Sequence, residues 1–555
     1  MAEPRLRAKR AWSAAVAGAT LALAASPTHA ADELRQTPLG ALRGQSDGVV
    51  ASFKGVPYAA PPVGDLRWKP PAPQAPWAGV RTASAFAPAC LQPSSPIAFY
   101  RDDPAEQSED CLYLNVWAPV GASKAPVIVW IHGGSLMMGT ASTPHHDGRA
   151  LAAKGAVVVT INYRLGVFGY LAHPELTAES PQRASGNYGT LDQVEALRWV
   201  RRNIEAFGGD PDSVTVMGES AGALSAAQLM ASPLARGLFH RVIAQSVYLP
   251  AMPELTAARF GIPAAEEAGL AFGDKAGDRR LAALRGMDAQ ALLAAATTQF
   301  YMPQGTIDGW VHKGQLVDVF ERGEQAQTPL LVGFNSGEVR AFDGPFGPPV
   351  PSDADAYRAA VQARYCGRAG DYLKLYPAER PRDGAFDAAR DAFYGWAAMR
   401  LASDQAGRGG AYLYYFDHVY PAADERGLGA FHASEVPFVF GEVGPGATVP
   451  ENWPLPPTSA KDVAVSEAMM DYWVGFARSG RPQADGRADW PAFSVKARGH
   501  MRFGDDGARA GAHLLPGAFE FHDSIVQSRR RRGDMSWEMW NTGLAAPVAK
   551  DCGGT

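Results

Sequence analysis

The chain has 555 residues, 46% of them hydrophobic and 20% charged, with a formal net charge of −5. That is the composition of a globular protein long enough to bury a large core, and it excludes a disordered or fibrous chain. So small a negative balance gives no electrostatic reason to expect nucleic acid or an anionic membrane as partner.

At the start of the chain Arg5, Arg7, Lys9 and Arg10 precede an Ala-rich apolar run, Ala11 to Ala25, followed by Ser26-Pro27-Thr28-His29-Ala30. A basic start, an apolar middle and small residues before a cut after Ala30 make the pattern of a secretory signal peptide. The run is too short and too rich in Ala to serve as a membrane anchor. No later stretch reaches spanning length. Residues 1–30 are therefore expected to be removed on export to the periplasm or the medium, with no stable membrane insertion.

From Leu39 to Val116 the sequence is rich in Pro, Gly and turn residues, which predicts an antiparallel edge. Cys90 and Cys111 flank a polar, Pro-containing segment there. A bridge between them would close a loop of roughly 20 residues and contribute about 3 kcal/mol on the chain-entropy model. Spacing alone gives that pairing modest weight, and Cys366 and Cys552 carry no pairing signal.

Short apolar runs follow: Val127 to Ile131, Val157 to Ile161, Val214 to Met217, Val242 to Ala244, Leu330 to Val332 and Tyr412 to Phe416. Most are bounded by Gly, Pro or Asn, as strands buried on both faces are. Between them lie helical patterns. The clearest is Leu191 to Phe207, which ends at Gly208-Gly209. Strands alternating with helices predict an α/β fold, a mostly parallel sheet covered on both faces. The sequence has no internal repeat. Arg529 to Arg532 is a basic run expected on a solvated surface.

Four loops after strands carry the chemistry. The first follows Val127 to Ile131 and reads His132-Gly133-Gly134-Ser135, where small residues let two backbone N–H groups converge on one point. His132 is expected to hold the loop by hydrogen bonds. The second is Gly218-Glu219-Ser220-Ala221-Gly222, between strand and helix. In such a turn the serine is forced into a strained conformation with its hydroxyl exposed, and the following N–H groups point where an oxyanion would form. A serine needs a base and an orienting acid to act as a nucleophile. In this architecture the order is serine, acid, histidine. Glu338, in "GFNSGEVRAF" after Leu330 to Val332, and His432, in "GAFHASEVPFVFG" after Tyr412 to Phe416, satisfy that order. His145-His146 is an adjacent pair; in extended chain the two would face opposite ways, so it predicts a surface or rim position and no metal site. No phosphate-binding loop appears.

Together these residues resemble the type-B carboxylesterase family, whose members include carboxylesterases, bacterial p-nitrobenzyl esterases, cholinesterases and some lipases. The likeness runs through "FKGVPYAAPPVGDLRW" (Phe53 to Trp68), "EDCLYLNVWAP" (Glu109 to Pro119), "DPDSVTVMGESAG" and, near the C-terminus, "MMDYWVGFARSGRPQ" with "WPAF". It implies an α/β-hydrolase fold with a central mostly parallel sheet, an antiparallel N-terminal edge and long insertions around the active site. Residues 31–555 would form a single domain, with a flexible tail from about 528. It further implies a cofactor-free hydrolase of small-molecule carboxylic esters. Ser220 would carry the acyl group, His432 would be the base and then the acid, and Glu338 would orient His432. Gly134, Ser135 and Ala221 would supply the oxyanion-hole N–H groups. Cys90 and Cys111 would be bridged, and Arg67 and Glu109 would form a structural ion pair.

Three departures stand out. Ser135 replaces the usual Gly or Ala, Val339 follows the acid where the family has Gly, and Ser246-Val247 stands where the family reads Ser-Gly, near the expected place of His432. The Cys90–Cys111 segment contains no Trp, so the quaternary-ammonium cage of cholinesterases is not expected there, and Phe99 and Tyr100 are the aromatic residues in its place. The rival readings are a lipase or a carbamate or amide hydrolase with the same triad, and a non-catalytic adhesion module, which the presence of all three triad residues disfavours. Met137, Met138, Phe300, Tyr301 and Met302 predict an apolar, adaptable pocket.

Overall fold

All six apolar runs become strands of one sheet. The structure, a computed structural model, describes residues 1, 31–342, 346–456 and 458–549. Residues 2–30 of the expected leader and Cys552 fall outside the described residues. Among those described, the main sheet has thirteen strands. They are β1 (Ala31–Thr37), β2 (Gly40–Ser46), β3 (Val50–Pro57), β4 (Val80–Thr82), β5 (Tyr113–Pro119), β6 (Ala125–Ile131), β7 (Val157–Ile161), β8 (Gly209–Glu219), β9 (Arg241–Gln245), β10 (Leu330–Asn335), β11 (Ala411–Asp417), β12 (His500–Gly504) and β13 (Gly507–Gly511).

The spatial order is β1-β2-β3-β5-β7-β6-β8-β9-β10-β11-β12-β13, with β4 beside β2. From β7 to β12 every neighbouring pair is parallel. The path from β1 through β2, β3 and β5 to β7 is antiparallel, as expected of the N-terminal edge. A closing hairpin, β12–β13, is also antiparallel.

The continuous apolar runs have a direct cause. In β6, Val127, Val129 and Ile131 enter one core, while Ile128 and Trp130 enter another on the opposite face. The side-chain period of two therefore finds apolar surroundings both ways. The first core is covered by α1 (Tyr188–Asn203), α2 (Ala221–Ala231) and α3 (Trp396–Ala406), the second by α4 (Val436–Phe440) and α5 (Ala460–Ser479). Helix α1 passes into a 3₁₀ turn and stops at Gly208, whose φ of +82° only glycine adopts cheaply.

Two ties fix the edge of the molecule. Cys90 and Cys111 are bridged. Arg67 meets Glu109 through two hydrogen bonds of 2.7 and 2.5 Å, and its remaining nitrogen donates to the carbonyls of Leu284, Arg285 and Met287.

The start of the segment for which a flexible tail was expected, from about 528, is described as far as residue 549. It begins as the end of α6 (Ala518–Arg532) and continues to a buried Trp537, whose indole donates to Leu249 O at 2.8 Å. The basic run is not simply solvated. Arg529 is buried and donates to Ser536 O, and Arg530 pairs with Asp318 and Glu321. Among the described residues no helix is long and apolar enough to cross a membrane.

Candidate active site

Strand β8 ends at Glu219 and α2 begins at Ala221, so Ser220 is the single residue between them. Its φ of 55° and ψ of −119° are costly for a residue with a side chain. The flanking glycines make the turn possible by close approach. A Cβ on Gly222 would lie 1.9 Å from Ile131 O, and one on Gly218 would lie 2.4 Å from Gly222 O. Ser220 N donates to Gln245 O at 2.9 Å, which pins the turn to β9. The serine is 8% exposed and borders a cavity. Ala221 opens α2, where an N–H has no intrahelical acceptor.

The glycine-rich loop lies against this turn. A Cβ on Gly133 would be 3.2 Å from Ser220 Cβ. The loop is contorted: Gly134, Ser135 and Leu136 all have positive φ, at 101°, 58° and 58°. Among the described residues, the N–H groups of Gly134 and Ser135 donate to no protein acceptor. His132 behaves as expected, with its Nδ1 2.9 Å from Gly133 O, its ring stacked on Tyr163 and its carbonyl receiving the Tyr163 hydroxyl.

His432 and Glu338 are brought together from opposite ends of a 94-residue separation. His432 Nδ1 lies 2.5 Å from Glu338 Oε2, and Glu338 Oε1 accepts the N–H of Asn335 at 2.8 Å. Glu338 is fully buried. Val339, where the resemblance led us to expect Gly, is buried in a 3₁₀ turn that begins at Glu338. Val339 is not among the residues with positive φ, so no glycine is needed there.

Two further buried carboxyl groups act on the same imidazole by their charge. Glu219 Oε1 is 3.2 Å from His432 Nε2 but lacks the alignment of a hydrogen bond. Glu435 receives Asn335 Nδ2 at 2.5 Å and Gln245 Nε2 at 3.0 Å. Burial acts to lower the His432 pKa; the Glu219 and Glu338 charges outweigh it and raise the pKa to about 9. Burial pushes Glu219 up to about 8, against the pull of His432 and with the help of Glu435 and Glu338. Ser246, expected near His432, is fully buried, and its hydroxyl makes no hydrogen bond to that histidine.

Ser220 and His432 border a cavity of about 440 Å³, within the size range of small-molecule sites. Met137, Met138, Phe300 and Met302 line it as expected. Tyr301 does not; its ring packs on Phe272 and its hydroxyl donates to Tyr170 O. Of the surface or substrate-rim positions read from sequence for His145 and His146, the structure takes the substrate side. They lie in a 3₁₀ turn, not in extended chain, and both line the cavity from buried positions. Burial lowers His145 to about 3 and His146 well below its ordinary value, so both are neutral.

Sequence reasoning missed several wall residues. Tyr394 sits on a five-residue π-helical turn, Asp391–Gly395, with its ring 4.9 Å from that of His432. Such turns are common at functional sites, but no local pattern marks this one. Trp453 faces Tyr100 at 5.8 Å, and Glu538 and Met539 arrive from the C-terminal segment. Among the described residues there is no cluster of His, Cys, Asp or Glu arranged to hold a metal ion.

The Carboxylesterase family matches residues 31–521. The fumonisin B1 esterase of Sphingopyxis macrogoltabida is 38% identical over 516 residues, covering 90% of this chain and 92% of that protein. The para-nitrobenzyl esterase of Bacillus subtilis (strain 168) is 35% identical over 481 residues, 83% of this chain and 93% of its own length. A solved structure of a PNB esterase superposes with a TM-score of 0.75 at 32% identity, covering 90% of this chain and 99% of the other.

Proposed function

Because the chain belongs to the carboxylesterase family and is a carboxylic-ester hydrolase, we propose that it works by two-step acyl transfer on Ser220. The Ser220 hydroxyl gives its proton to His432 Nε2 as its oxygen attacks the ester carbonyl. The resulting oxyanion is held by the N–H groups of Gly134, Ser135 and Ala221. His432 returns the proton to the departing alcohol. Water, deprotonated by the same histidine, then releases the acid and frees the serine. Glu338 is the positioning residue that fixes the imidazole with Nδ1–H toward itself. The observation that carries this reading is the 2.5 Å contact of buried Glu338 with His432, beside a cavity that also holds Ser220 in its strained turn.

The ester bound in the cavity is uncharged or cationic. Among the described lining residues none is Lys or Arg, whereas Asp102, Asp103, Glu219 and Glu538 are carboxyl residues on the wall. Longer acyl chains are favoured by one feature: Phe300 and Met302 line the cavity yet stay 57% and 39% exposed, forming an apolar lip. The protein acts outside the cytoplasm, a reading supported by the leader sequence and by the Cys90–Cys111 disulfide.

The test is hydrolysis of p-nitrophenyl esters of increasing acyl length, with a hemisuccinate ester included and Ser220→Ala run in parallel. Wild-type turnover, a loss of about 10⁶-fold in kcat in the variant and poor use of the anionic ester are expected. Substantial activity in Ser220→Ala would refute the assignment. An optimum at long chains with activation by an oil–water interface would mark a lipase.

A further inference from the structure

The loop closed by the Cys90–Cys111 disulfide touches both of the loops that flank Ser220. Its Tyr100 hydroxyl donates to the backbone carbonyl of His432 at 2.7 Å. The neighbouring Phe99 ring packs edge-on against Phe431 at 5.5 Å. At its start, Gln92 forms a paired contact with Gly139: Gln92 Nε2 donates to Gly139 O at 2.9 Å, and Gly139 N donates to Gln92 Oε1 at 2.7 Å. Gly139 closes the glycine-rich loop, packed so tightly that a Cβ there would lie 2.4 Å from His132 Nδ1.

We propose that this loop is a brace for the reacting groups, with Tyr100 a positioning residue for His432 and Gln92 a positioning residue for the glycine-rich loop. The inference rests on the acyl-transfer reading above. Three successive carbonyls of the histidine loop are held. Ala430 O receives Gly337 N and Phe431 O receives Asn335 Nδ2, both from the segment that carries Glu338. His432 O receives Tyr100, from a different part of the chain. The next residue, Ala433, has a φ of +66°, a conformation that persists only where its surroundings enforce it. The Tyr100 hydroxyl remains a donor across the working pH range, since burial and then the Glu219 and Glu338 charges raise its pKa well above the ordinary value. Gln92 is held in turn, with its N–H donating to Gln107 Oε1 at 3.0 Å.

The test is Tyr100→Phe, which keeps the ring and removes the hydroxyl. His432 serves every acyl group alike, so kcat should fall by about tenfold, the rate equivalent of one neutral hydrogen bond. The factor should be the same for p-nitrophenyl acetate, butyrate and hexanoate, with KM nearly unchanged. The rate of Ser220 modification by a small phosphonylating reagent should fall by a similar factor. Gln92→Met, which keeps the side-chain length and removes both polar atoms, should also lose kcat uniformly across the series. An active wild type with unchanged kcat in both variants would overturn the brace and leave the acyl-transfer reading standing. A loss that grows with acyl length and appears in KM would also overturn it, because that is the behaviour of a pocket wall. A wild type inactive on every ester would instead count against the acyl-transfer reading on which the brace rests.

Discussion

Ser220 is held in place mostly by its immediate neighbours, Gly218 and Gly222, which let β8 and α2 crowd against Ile131. His432 is held by groups far away in sequence: Glu338, 94 positions distant, and Tyr100, 332 positions distant. The serine turn is thus a local device whose strain is built into five consecutive residues. The histidine loop is a convergence of three separate parts of the chain, and its electrostatics belong to the whole group of Glu219, Glu338 and Glu435. A local device is robust to distant change, whereas a convergence can be tuned from several places.

Breaking the convergence at its closest contact should give the largest effect. Glu338→Gln keeps the shape but removes the charge that fixes the Nδ1–H tautomer, and kcat should fall by about 10⁴-fold. Steady-state kinetics beside a thermal melt would check it: the rate should collapse while the melting temperature moves little. Breaking the local device should act on the fold instead. Gly222→Ala sets a methyl group 1.9 Å from a backbone oxygen that cannot move cheaply, for an expected cost of about 3 kcal/mol. Lower resistance to heat inactivation would register that loss.

The smallest effect sharpens the comparison. Glu219 is the largest charge contribution that raises His432 to about 9. The base form of His432 appears as pH rises through its pKa, so kcat/KM should climb with pH in the wild type. In Glu219→Gln the histidine pKa drops, and that climb should move to lower pH. A kcat/KM profile from about pH 6 to 10 that does not move would show that Glu219 exerts no such influence.

The same contrast explains how much was legible in the sequence. Each buried parallel strand betrays itself by a short apolar run, because both faces are covered. The serine turn is legible because its glycines, serine and flanking elements are contiguous. Glu338 and His432 were reached only by chain order and family likeness, since each is an ordinary residue in its own window. Tyr394, Trp453, Glu435 and the cavity-lining Glu538 and Met539 left no readable mark; their roles come from contacts across the molecule. The backbone of His145 and His146 was misjudged, because an extended geometry was assumed for what is a 3₁₀ turn. The tie of Trp537 to Leu249, 288 positions away, likewise left no local mark.

The most direct test of the account is covalent trapping. The mature protein would be treated with a fluorophosphonate, its intact mass measured and the adduct located by peptide mapping, with His432→Ala in parallel. The account predicts one adduct per chain, on Ser220, formed quickly in the wild type and scarcely at all in the variant. An adduct on another residue, or a wild type that hydrolyses esters yet takes up no label, would contradict it.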